Sequence, residues 1–124
     1  MKKFIIGLCA LMMLFMMASC GGAVGKIESL TKDVEKNSED WDTEKWVSVL
    51  TDFYETSIEF LESEPSEKDF DKFDDAYSDF KDAVRDSDSN KKTKAINKKE
   101  IQKLDGKFRK AYSKAKKKID KDDD

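Results

Sequence analysis

The chain has 124 residues, 41% of them charged, a formal net charge of −3, two cysteines and no histidine. Without histidine there is no Ser-His-Asp or Cys-His nucleophilic catalysis, no imidazole acid–base chemistry and almost no route to a zinc site. Of five glycines only Gly106 lies beyond residue 25, so neither a P-loop nor a dinucleotide-binding loop is present, and the chain reads as a non-enzyme.

Residues 1–19 differ from everything after them. Lys2 and Lys3 give a short positive start, Phe4 to Met17 carries no charge, and Ala18-Ser19 supplies small residues. This is the three-part layout of an export signal, and its apolar run is shorter than the roughly 20 residues that a membrane-spanning helix needs. Residues 1–19 are therefore expected to be a signal peptide that is removed.

Met17-Ala18-Ser19-Cys20 resembles the lipobox of bacterial lipoproteins, with Met17 where Leu is commoner. The resemblance implies a thioether-linked diacylglycerol on Cys20, cleavage before it and acylation of the new amino terminus. An ordinary secreted chain with a cysteine at its cleavage site is the alternative. Two or more acyl chains anchor a protein stably, whereas one gives marginal binding. Cys9 leaves with the signal and Cys20 takes the lipid, so no free thiol remains; that lipid is the sole non-protein group expected, with no cofactor and no metal. Gly21 to Gly25 read as a flexible tether, so residues 20–25 form the lipidated cysteine and its leash. No Asp follows Cys20 and no acidic run adjoins it, which by the sorting rules of the resembled class points to an outer membrane, facing the periplasm of the cell envelope.

The domain proper is expected over residues 26–121, with an acidic, disordered tail at 122–124. Ile27, Leu30 and Val34 recur at spacings of three and four and predict a short first helical segment. Asp42 or Thr43 can cap a second helix, whose inner line is Trp46, Leu50, Phe53, Ser57, Phe60 and Leu61, with Val49 beside it. Pro65 ends that helix, because the residue before a proline is pushed out of the right-handed helical region. Ser66 then opens a third, with acidic residues crowding its positive end. Phe70, Phe73, Tyr77, Phe80 and Val84 follow at 3-4-3-4 spacing, and this stripe reads as core rather than as the lining of a ligand groove.

Asp86 to Asn90 imitates the opening of a calcium loop. Lys91 and Asn97 stand where such a loop needs Gly and Glu, so the string reads as a polar turn with an Asp or Ser cap. A long last helix carries Ile101, Leu104, Phe108, Ala111, Ala115 and Ile119, with Ile96 one turn earlier, and Gly106 interrupts it at a cost of about 1 kcal/mol relative to Ala. The expected fold is all-α, an antiparallel bundle of three long helices with a short extra N-terminal helical segment. Its rival is an extended helical hairpin that dimerises as a coiled coil.

The net charge hides a split. From Lys26 to Asn90, 8 basic residues face 21 acidic ones; from Lys91 to Lys121, 14 basic face 3 acidic. Three readings follow: the basic helix lies against acidic ones, it binds an anionic envelope surface, or it meets a protein partner. Candidate contacts for an anionic surface are Lys91, Lys92, Lys94, Lys98, Lys99, Lys110, Lys114 and Lys117. The expected partners are the lipid bilayer, through acylated Cys20, and an envelope protein or an anionic lipid or polysaccharide. Nucleic acid is not among them, since an exported chain does not normally meet it. The leading expectation is a membrane-anchored, non-catalytic interaction or scaffolding domain. The murein-linked lipoprotein type is also helical and lipid-anchored but ends in Lys, whereas this chain ends in Asp124.

Overall fold

The structure, a computed structural model, describes residues 20–122. The signal segment 1–19, the side chains of Cys20, Lys121 and Asp122, and Asp123 and Asp124 of the tail lie outside the described residues. Five α-helices follow one another within them: α1 Cys20–Asn37, α2 Thr43–Glu62, α3 Glu67–Asp86, α4 Asn90–Ile96 and α5 Lys99–Asp122. A 3-10 turn, Ser38–Asp40, joins α1 to α2. The fold is all-α, with several long helices packed together.

Three details differ from the sequence reading. The short N-terminal piece is a full helix of 18 residues, and the expected tether at 20–25 is its opening. Ala23 (1% exposed) extends the line of Ile27, Leu30 and Val34 by one more turn, at 4-3-4 spacing. Each helical glycine costs about 1 kcal/mol relative to Ala, and Gly21, Gly22 and Gly25 all lie in α1. Against this, a buried Ile, Leu or Val contributes about 1.5–3 kcal/mol each, and Ile27, Leu30 and Val34 are all buried. Packing outweighs propensity. The second difference is the break at Asn97–Lys98, which splits off α4. Ile96 is 41% exposed there and does not extend the core line of α5. Asp122, assigned to the tail, closes α5.

The caps are where the sequence puts them. Asp42 accepts from the Lys45 N–H at 2.8 Å, and Ser66 Oγ from the Asp69 N–H at 3.2 Å. Ser89 Oγ accepts from the N–H groups of Lys91 and Lys92, so the calcium-like string is a turn closed by a helix cap. Beyond α2, Glu64 adopts φ 58 immediately before Pro65, a left-handed conformation that costs a non-glycine residue roughly 1–2 kcal/mol.

Aromatic contacts set the register. Phe53 stacks on Phe80 with centroids 4.2 Å apart, and Phe60 on Phe73 at 5.0 Å, so α2 and α3 are antiparallel. Phe108 meets Tyr77 at 5.1 Å and Tyr112 meets Phe70 at 5.4 Å, so α5 is antiparallel to α3 and parallel to α2. Ser38 Oγ lies 3.2 Å from Ser87 Oγ, joining the ends of α1 and α3, which also run parallel. Backbones approach most closely between α1 and α3 and between α2 and α5, while rings fill the wider space between α2 and α3. One end of the bundle therefore gathers the start of α1, the end of α2, the start of α3 and the end of α5. The turn carrying α4 lies at the other.

Candidate functional site

The charge split along the sequence becomes a split between faces. A cleft of about 800 Å³ between α1 and α3 is lined by Glu28, Glu35, Glu39, Asp79, Asp82 and Asp86, with Lys32 beside them. These α3 carboxylates serve the α1 side of the bundle rather than α5. Across the molecule, α5 holds ten basic residues and four acidic ones. It is tied to its neighbours by a few polar contacts. Tyr54 Oη donates to Asp105 at 3.0 Å, Tyr112 Oη donates to Asp74 at 2.7 Å, and Lys118 Nζ pairs with Glu64. Arg109 pairs with Asp105 at 2.9 Å within α5 itself. Burial, and then the adjoining carboxylates, push the Tyr54 and Tyr112 hydroxyls well above their ordinary value, so both remain donors throughout the physiological range.

The eight lysines named as candidate contacts for an anionic surface do not come together on one face. Lys91, Lys92 and Lys94 lie on α4, Lys98 in the break and Lys99 at the start of α5, all at the α4 end. Lys110, Lys114 and Lys117 lie from the middle of α5 onward, toward the opposite end. Lys92 is engaged within the fold, since its ammonium donates to the carbonyls of Val84, at 2.8 Å, and of Ser87. A cation there satisfies the negative C-terminus of α3, which is why it does not belong to an outward-facing set.

Lys110 and Lys114 instead share a side of α5 with Lys107 and Lys118, two lysines outside the expected set. The four rim a groove of about 840 Å³ between α5 and the second half of α2. Its walls are apolar: Ile58 and Leu61 from α2, then Pro65, and Ala111, Ala115 and Ile119 from α5. Spacings of three, four and four from Lys107 to Lys118 were the available signal, because residues so spaced are neighbours on a helix surface. Among the described residues no carboxylate pairs with Lys107, Lys110 or Lys114. Glu64, fully exposed, is held below the usual carboxylate range by its hydrogen bond to Lys118, with Lys114 adding to the effect.

A second charged position sits on the α1–α2 side. Asp52 is 9% exposed, and burial raises its carboxyl above the ordinary 3.8 against the pull of Lys26 and Lys45. The native state thus binds this proton more tightly than the unfolded chain does. Ionised Asp52 costs stability at neutral pH, and the cost fades as pH falls through the raised value toward about 4. Asp52→Asn is expected to melt above the parent at pH 7, with the gap closing toward pH 4. A variant that melts lower at pH 7 would mean that attraction to Lys26 and Lys45 outweighs desolvation.

No family model, curated protein or solved structure matches the chain. Among the described residues no helix is long and apolar enough to cross a membrane, and no three His, Cys, Asp or Glu side chains gather as a metal site.

Proposed function

We propose that this chain is a bacterial lipoprotein whose helical bundle is a non-catalytic interaction domain, held at a membrane of the cell envelope by lipid on Cys20. The observation that carries the reading is one of position. Cys20 ends the lipobox-like Met17-Ala18-Ser19-Cys20 and already lies within α1. An anchor on Cys20 would therefore leave little leash between bilayer and bundle. The end of the bundle that carries the last turns of α5 would then face the head groups.

Between a protein partner and an anionic surface, the lysines of α5 favour the surface. From Lys107 onward they run from the middle of α5 toward the end of the bundle that holds Cys20, and Lys107, Lys110 and Lys114 have no carboxylate partner among the described residues. A juxtamembrane lysine gains about 1 kcal/mol near an anionic leaflet, the upper end of the roughly 0–1 kcal/mol that an exposed ion pair contributes. An outer membrane facing the periplasm is the proposed location.

Metabolic labelling of the full chain with an alkyne fatty acid, in a bacterium that processes lipoproteins, tests the anchor. The parent chain is expected to take up label and lose residues 1–19, whereas Cys20→Ala takes up none and keeps them. Unlabelled parent chain, cleaved elsewhere, would sink the proposal.

A further inference from the structure

The groove between α2 and α5 has the two chemistries of an amphiphile in one place. Its floor is apolar and its rim is cationic. We infer that it holds one anionic phospholipid of the adjoining bilayer, with an acyl chain along the floor and the phosphate among Lys107, Lys110 and Lys114; this rests on the membrane-anchored reading above.

Size agrees with that occupant. The groove, about 840 Å³, falls within the roughly 300–1,000 Å³ of small-molecule sites. From Lys107 to Ile119 it follows α5 for about 18 Å at 1.5 Å per residue. One leaflet's acyl chain extends roughly 15 Å, half of a hydrocarbon core about 30 Å thick.

Composition agrees as well. Ala111 and Ala115 are the small residues of the wall, flanked by Ile58, Leu61 and Ile119, so the floor is wide where the alanines stand. A purely apolar occupant would leave Lys107, Lys110 and Lys114 on the rim without a counter-charge of their own. A zwitterionic head group would bring a cation of its own toward them. Two carboxylates also line the groove, Glu62 and Glu64. Glu64 is already neutralised by Lys118, which leaves Lys107, Lys110 and Lys114 against Glu62.

Direction is the third argument. The groove runs toward the end of α5, which is the end of the bundle that holds Cys20. A lipid can therefore enter from the bilayer that Cys20 anchors to, without first crossing water.

The test places the full chain in phosphatidylcholine vesicles doped with phosphatidylglycerol that carries a photoactivatable group in one acyl chain. Labelled residues are mapped by mass spectrometry, and flotation of the vesicles reports attachment separately. Labelling is expected at Ile58, Leu61, Ala111 and Ala115. Ala115→Phe, which fills the floor, should abolish it. Lys110→Gln with Lys114→Gln changes only exposed residues and should reduce it about 30-fold, the worth of two lysines at an anionic surface. The same photoactivatable group on phosphatidylcholine should label the groove far less.

Equal labelling from both lipids, or labelling that spares the groove on chain that floats, overturns the inference and leaves the anchor standing. A groove closed by a second copy of the chain, seen as a dimer with α2 and α5 unlabelled, overturns it too. Groove labelling that persists in Cys20→Ala supports the inference whatever the anchor does.

Discussion

Phe73→Ala is expected to destabilise the bundle by about 3–5 kcal/mol, the usual cost of emptying a buried aromatic position. Phe73 has no exposed surface, and its ring meets Phe60, Phe70, Tyr77 and Phe108 within 6.5 Å. It thus joins α2, α3 and α5 at one point. Because rings rather than close backbones bridge α2 and α3, the cavity left by an alanine cannot be closed by a small shift of either helix. For a domain of this size each kcal/mol moves the Tm by roughly 4–8 °C, and total stability is typically only about 5–15 kcal/mol. Ile96→Ala is the control, since Ile96 is the exposed large apolar residue of the described chain; it should change stability by no more than about 0.5 kcal/mol. Thermal and urea melts followed by circular dichroism read both. A Phe73→Ala chain within about 1 kcal/mol of the parent would refute this description of the core.

Rhythm made the long helices legible. The stripe Phe70-Phe73-Tyr77-Phe80 can bury only one side of a helix, and three of those four are buried, with Tyr77 half-buried. Asp42, Ser66 and Ser89 were legible because a cap is a local bond between neighbours in the chain. The opening of α1 was not. Three glycines in five residues favour a leash by propensity alone, and what overrides them is a long-range contact, the packing of Ala23 and Ile27 against helices formed later in the chain.

The same limit applies to the groove. Which lysines share it depends on how α5 rotates against α2, and Tyr54 with Asp105 and Lys118 with Glu64 fix that rotation across more than fifty residues of sequence. Counting lysines identified α5 as basic but grouped Lys92 with it, whereas Lys92 is consumed by the carbonyls at the end of α3. Charge runs predict which helix is electropositive. They do not predict which of its cations remain available.

Whether α1 belongs to the bundle or hangs from it can be decided by two substitutions two residues apart. Ile27 is fully buried, and Ile27→Asp removes a packed side chain, worth about 2–5 kcal/mol when truncated, while forcing a carboxyl into an apolar site. The expected result is a loss of at least about 3 kcal/mol in a single cooperative transition, with hydrogen-exchange protection lost in α1 and weakened in α2 and α3, the helices it packs on. Gly25 faces solvent, and a Cβ there would meet nothing within 4 Å. Gly25→Ala should therefore stabilise the protein by up to about 1 kcal/mol through helix propensity. A leash predicts neither outcome, because a residue that is unstructured in the folded state has no packing to lose and no helix to favour. Opposite shifts at positions 25 and 27 would mean that α1, from Cys20 onward, is part of the cooperative unit. A lipid on Cys20 would then fix the height of the bundle above the bilayer, and with it the position of the α2–α5 groove.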